Sequence, residues 1–208
     1  MAVEWKLSDL KDIPQNGKTV FSCFSGGGGS SMGYKLAGFT VLGCVEIDPK
    51  MMACYKANLN PRFPFRMAVG DFNKIPDEKL PPELFNLDIL DGSPPCSSFS
   101  MAGAREKHWG KDKVFREGQA KQVLDDLFFD FIETAAKLRP KVVIAENVKG
   151  LIQGNARGYV KEIISRYRAI NYEPQIFLLD ASRMGVPQKR ERVFIICRNK
   201  DAKGQAKA

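Results

Sequence analysis

Apolar and polar positions along the chain sort into short apolar runs separated by stretches with a helical period. Residues 19–24 (TVFSCF), 39–47 (FTVLGCVEI), 65–69, 87–90 (LDIL) and 141–145 (KVVIA) predict strands, because short apolar, β-branched runs bounded by Gly, Pro or Asp suit buried parallel strands. Between them, residues 30–37 predict a helix closed by Gly38. Asp48 and Pro49 supply an N-cap and a first-turn proline for a helix continuing over 50–58. The clearest helical signal covers 119–138, where Val123, Leu124, Leu127, Phe128, Phe131, Ile132, Ala135 and Leu138 share one stripe. Residues 159–170 predict another helix. The late runs 175–179 and 192–197 are joined by a link without a helical period, which predicts an antiparallel pair. Residues 97–118 show no period and read as a polar loop.

Strands alternating with helices imply an α/β protein with a doubly wound, mostly parallel, Rossmann-like sheet and an antiparallel late strand. One domain over 19–200 is expected, with an N-terminal extension over 1–18 and a polar tail over 201–208.

Composition narrows the class. With 208 residues, 44% hydrophobic and 27% charged, the chain is of ordinary globular make-up, which excludes a fibrous or disordered protein. No apolar run approaches the length of a membrane span and the N-terminus has no apolar signal core, so a cytoplasmic protein with no membrane contact is expected. The five cysteines are an odd number without a CxxC spacing, which argues against a disulfide framework or a thiolate metal site. A single histidine, His108, leaves no multi-histidine zinc site and makes a Ser-His-Asp triad a poor fit. Catalysis, if present, rests on Cys, carboxylates and Arg. The net charge of +8 favours an anionic partner, nucleic acid first.

Candidate chemistry sits at the strand ends. Ser25-Gly26-Gly27-Gly28-Gly29 follows the first strand and opens a helix, and glycine lets backbone approach a ligand closely. Glu46 ends the second strand, where Rossmann-like sites place an acid on ribose hydroxyls; the alternative is a glycine turn and a surface acid. Asp71, in Gly70-Asp71-Phe72, is either a ligand contact or a turn residue. Cys96 follows Pro94-Pro95 at a loop tip, where proline stiffens the approach of a thiol; Cys23, Cys44, Cys54 and Cys197 read as core. Glu146 and Asn147 end an apolar strand and either cap the next segment or face the site. Arg190 and Arg192, alternating ahead of the last strand, are either a solvated end or a guanidinium pair for phosphate or a base oxygen.

These motifs, in this order, resemble the cytosine-C5 DNA methyltransferases: Phe24 to Gly29, Glu46, Gly70-Asp71-Phe72, Gly92-Ser93-Pro94-Pro95-Cys96 with Ser97-Ser98-Phe99-Ser100, Glu146-Asn147-Val148, and Gln188-Lys189-Arg190-Glu191-Arg192. The resemblance implies the fold of S-adenosylmethionine-dependent methyltransferases. It places that cofactor against Phe24, Ser25, Gly26, Gly28, Gly29, Glu46, Ile47, Asp71, Phe72 and Pro95, with Glu46 on the ribose and Asp71 on the adenine. Cys96 becomes the nucleophile on C6 of a flipped cytosine, Glu146 the partner of N3, and Arg192 an aid at O2, supported by Arg190. Ser97, Ser98, Ser100, Arg105, Lys107 and Arg116 fall in a loop that closes over double-stranded DNA. The family commonly has Asp two residues before the Phe of the first motif and Gln after the Cys; here these are Ser22 and Ser97. Its variable target-recognition region and final Gly-Asn motif have no match, which implies a second protein chain that carries recognition. A nucleoid association through DNA follows. A tRNA cytosine-C5 methyltransferase, a non-catalytic regulatory module and, more distantly, a nicotinamide oxidoreductase are the competing classes.

Overall fold

The computed structural model describes residues 6–95, 127–153 and 156–202, together with the backbone of 112–113 and 122–123. Its centre is a seven-stranded sheet in the order β3-β2-β1-β4-β7-β9-β8. The strands are β1 (Thr19–Cys23), β2 (Thr40–Val45), β3 (Phe63–Phe65), β4 (Ile89–Gly92), β7 (Val142–Val148), β8 (Tyr172–Asp180) and β9 (Glu191–Asn199); β5 (Asp112–Lys113) and β6 (Gln122–Val123) form a separate antiparallel ladder. The first five strands of the large sheet run parallel, and β9 is antiparallel to both β7 and β8.

The helices are α1 (Gly29–Leu36), α2 (Pro49–Leu59), α3 (Val69–Asn73), α4 (Leu127–Leu138) and α5 (Arg157–Ala169). The predicted cap of α2 is present: Asp48 Oδ1 accepts from the amides of Lys50 and Met51 at 2.7 and 3.2 Å, with Pro49 in the first turn. Phe128, Phe131, Ile132, Ala135 and Leu138 of α4, with Ile163 and Tyr167 of α5, pack on one face of the sheet against Phe21, Leu90, Val143, Val193 and Ile195. On the other face Met52, Tyr55 and Leu59 of α2 bury Cys44 of β2. Further along that second face the side chains are less buried. Val142, Ile144, Phe194, Ile196 and Leu179 are only half-buried, and Phe177 is exposed.

Three sequence expectations change. Residues 65–69 were expected to form the third strand, but β3 is Phe63–Phe65 and Val69 opens α3. Pro64 reads as a breaker, yet β3 lies at the sheet edge, where a missing N–H costs no ladder bond. The helix expected over 119–138 is present over Leu127–Leu138, while Gln122 and Val123 pair in a ladder. Cys54 is exposed on α2 rather than in the core, whereas Cys23, Cys44 and Cys197 are buried.

Candidate active site

β1 pairs with β2 on one side and β4 on the other, so the direction of winding reverses between β1 and β4. Ligands of open α/β sheets bind beyond the carboxyl ends of strands at such a point. Cys23 is level with Gly92, which sets the glycine-rich loop beside the Ser93-Pro94-Pro95 turn. The loop takes left-handed backbone at Phe24 (φ 52°), Gly26 (φ 53°) and Gly28 (φ 96°). A Cβ at Gly28 would lie 2.3 Å from Leu59 Cδ1, so neither the backbone angle nor the space admits another residue. Glu46 clamps this loop: Oε2 accepts from Gly26 N at 2.7 Å and Oε1 from Asp48 N at 2.8 Å, with the side chain largely buried.

The remaining expected cofactor residues are distributed unevenly. Phe24 rests edge-on against Phe131, with ring centroids 6.4 Å apart. Ser25, Ile47 and Pro95 are half-buried around the crevice mouth. Asp71 is exposed in the first turn of α3 and pairs with Lys74 at 2.8 Å. Phe72 turns inward, fully buried against Phe21 and Phe65, so its ring is not offered to a ligand.

Across the crevice, Glu146 near the end of β7 meets Arg192 near the start of β9, Oε1 to Nε at 3.0 Å. The antiparallel register brings these elements together, because Val148 is paired with Arg192. Burial raises the Glu146 carboxyl above its ordinary value, and the positive charges of Arg192 and Arg190 pull back only part of that shift. Arg190 itself is exposed, its amide held by Asp180 Oδ1 at 3.2 Å. Glu191, between the two arginines, faces away to Lys149 at 2.8 Å.

Asn147 anchors the turn that leads to Cys96. Its Nδ2 donates to Pro94 O at 3.0 Å, and the side chain is buried. Gly92 at the turn's base is required by packing, since a Cβ there would lie 2.5 Å from the Phe131 ring. Cys96, Ser97, Ser98, Ser100, Arg105, Lys107 and Arg116 lie outside the described residues. Burial pushes the Cys44 thiol up to about 11 and raises those of Cys23 and Cys197 further. These three are poor thiolates near neutral pH, consistent with a core role.

Sequence reasoning passed over Asp91, which is buried in β4 and accepts hydroxyl hydrogen bonds from Ser22, Ser30 and Tyr34. A carboxylate in the otherwise apolar run Ile89-Leu90-Asp91-Gly92 was the available signal.

Together the switch point between β1 and β4, the glycine loop with its clamping acid and the Glu146–Arg192 pair at the strand ends define a doubly wound α/β domain of the class that binds ligands beyond its carboxyl strand ends. The chain belongs to the C-5 cytosine-specific DNA methylase family, whose sequence profile matches residues 18–207. Type II methyltransferase M.NgoPII of Neisseria gonorrhoeae is 35% identical over 186 residues, 89% of this chain and 49% of that protein. Type II methyltransferase M.FnuDI of Fusobacterium nucleatum is 32% identical over 182 residues, 88% of this chain and 47% of the other. A structure described as a DNA modification methyltransferase encoded within an E. coli prophage superposes with a TM-score of 0.66 at 25% identity, covering 88% of this chain and 47% of that one. A mutant DNMT2 of Spodoptera frugiperda shares the fold, with a TM-score of 0.60 at 23% identity over 92% of this chain and 53% of its own. The chain thus spans about half the length of the curated relatives it matches. Among the described residues no helix is long and apolar enough to cross a membrane.

Proposed function

We propose that this chain is the cofactor- and base-binding half of a DNA cytosine-C5 methyltransferase, acting with a second protein chain that reads the target sequence. The observation that carries this reading is the Glu146–Arg192 pair, joined at 3.0 Å next to Asn147, which anchors the Pro94–Pro95 turn, at the same sheet end as the clamped glycine loop. S-adenosylmethionine fits that loop: a Cβ on Gly26 or Gly29 would meet nothing within 4 Å, which leaves room for a ligand lying against bare backbone. Phe24, Ser25, Gly28, Ile47 and Pro95 complete its surroundings, with Glu46 at the ribose hydroxyls and Asp71 at the adenine; Phe72, buried against Phe21 and Phe65, supports that wall from behind. When bound, the cofactor supplies the methyl group.

Cytosine C5 is a poor nucleophile, and the chain's residues address that. The Cys96 thiolate adds to C6 of a cytosine flipped from double-stranded DNA, making C5 electron-rich enough to accept the methyl group. Loss of the C5 proton and expulsion of the thiolate then restore the ring. Glu146, whose pKa burial raises, hydrogen-bonds N3 and stabilises the adduct; Arg192 holds O2, with Arg190 nearby. Ser97, Ser98, Ser100, Arg105, Lys107 and Arg116 take the DNA side, the basic ones on phosphates. The second chain is supported by the half-exposed apolar face beside Glu146, which suits a docked partner better than water.

The test is trapping on duplex DNA that carries 5-fluorocytosine, with S-adenosylmethionine present and with and without a complementing chain. A denaturation-resistant adduct is expected in the wild type and absent in Cys96→Ala. Labelled methyl transfer into tRNA but not DNA would move the substrate class, and efficient sequence-specific methylation by this chain alone would remove the second-chain requirement.

A further inference from the structure

Asp91 sits within β4, 5% exposed, on the same sheet face as its register partner Ser22 of β1. Asp91 Oδ2 accepts the Ser22 hydroxyl at 3.1 Å and the Ser30 hydroxyl at 2.7 Å, and Oδ1 accepts the Tyr34 hydroxyl at 3.3 Å. Ser22 lies in β1 one residue before its end, and Ser30 is the second residue of α1. One carboxylate oxygen therefore ties both ends of the glycine-rich loop, while Glu46 separately ties its middle at Gly26. Burying a carboxylate is costly, and burial raises the Asp91 pKa; the three hydroxyls offset part of that cost by bonding its charged form. Residue 22, the register partner of Asp91 on β1, is a serine. Because residues 22 and 91 stand side by side on one face, a carboxylate from either strand reaches the same place.

We propose that Asp91 is the positioning residue of the cofactor site: from β4 it clasps the two ends of the loop that receives S-adenosylmethionine. This rests on the reading of that loop as the cofactor site. An acid that merely filled the core would also stabilise the fold. It would not control the order of the loop, and its loss would not be made good by an acid at position 22.

The experiment compares wild type, Asp91→Asn, Asp91→Ser and the exchanged pair Ser22→Asp/Asp91→Ser. Amide hydrogen exchange over residues 26–30 is read in the ligand-free chain, and S-adenosylmethionine affinity is read by calorimetry. In both single variants the loop amides exchange faster and affinity falls roughly tenfold, about 1.4 kcal/mol. The exchanged pair returns both readings to near the wild-type values. Unchanged loop exchange in Asp91→Asn overturns the clasp, as does a folded exchanged pair that stays as weak as Asp91→Ser. A wild type that fails to bind S-adenosylmethionine counts against the cofactor reading instead, and loop exchange still decides the clasp. Should the Asp91 variants not fold, Ser30→Ala cuts one tie from an exposed position. Faster exchange over 26–30 with an unchanged urea midpoint supports the clasp, and unchanged exchange overturns it.

Discussion

Glu146 stands between opposing influences. Burial favours its neutral form, Arg192 and Arg190 favour its charged form, and the balance leaves its pKa raised. A carboxyl whose folded pKa exceeds its unfolded value binds more protons in the folded state. The stability it contributes is present at low pH and is lost as pH rises from the ordinary glutamate range through the raised value. Asp91 is raised by burial in the same direction, so the comparison must be between variants. In urea titrations across that window, the wild-type midpoint should fall more steeply than that of Glu146→Gln; parallel slopes would show that Glu146 titrates as an ordinary surface acid. The same substitution should lower methyl transfer by roughly 10²–10⁴-fold, the range for loss of a positioned proton donor. This residue was legible in the sequence because an acid at the end of an apolar strand is conspicuous, and so was Glu46. Neither acid's partner was legible, since Gly26 and Arg192 come from other elements and only register decides who meets whom.

Among the elements, α3 leans on its neighbour α4. It is one short helix, and Lys137 of α4 reaches across to its end: Nζ donates to Asn73 O at 3.2 Å and Ile75 O at 2.7 Å, and pairs with Asp77 at 2.7 Å. Thr134 adds a bond to Asn73 Oδ1 at 2.8 Å. A lysine at a helix C-terminus satisfies carbonyls that have no partner in the helix. Lys137→Met keeps the apolar stem and removes the donors, and should cost about 1–3 kcal/mol in urea denaturation. Because α3 carries Asp71, S-adenosylmethionine affinity should weaken with it; a variant that loses stability but binds as before would separate α3 from the cofactor site. The elements themselves were largely readable where a local signal ends them, as Asp48 and Pro49 begin α2 and Gly38 follows α1. Reading failed where a distant context overrides the local signal. Pro64 is harmless only because β3 is an edge strand, and Val123 continues the α4 stripe in sequence yet pairs with Asp112.

At the scale of the molecule, the two sheet faces are unequally covered. α4 and α5 bury one face across β4, β7 and β9. Opposite them, Ile144, Phe194 and Ile196 stay half-buried, and the face runs out to Phe177, 39% exposed on the edge strand β8. Doubly wound sheets are normally covered on both faces, because their strands are apolar on both. The face also begins beside Glu146, and a chain docked on it would stand next to the base that Glu146 is proposed to hold. Phe177→Lys tests that placement, since a lysine on an edge strand opposes pairing and apolar docking. At a position this exposed, the urea midpoint of the lone chain should move by no more than about 0.5 kcal/mol. S-adenosylmethionine affinity should stay at the wild-type level, because Phe177 lies away from the glycine-rich loop. The yield of 5-fluorocytosine adduct gained on adding the complementing chain should fall at least roughly tenfold, equivalent to about 1.4 kcal/mol of lost docking free energy. An undiminished gain would move the partner off this face while leaving the catalytic reading intact.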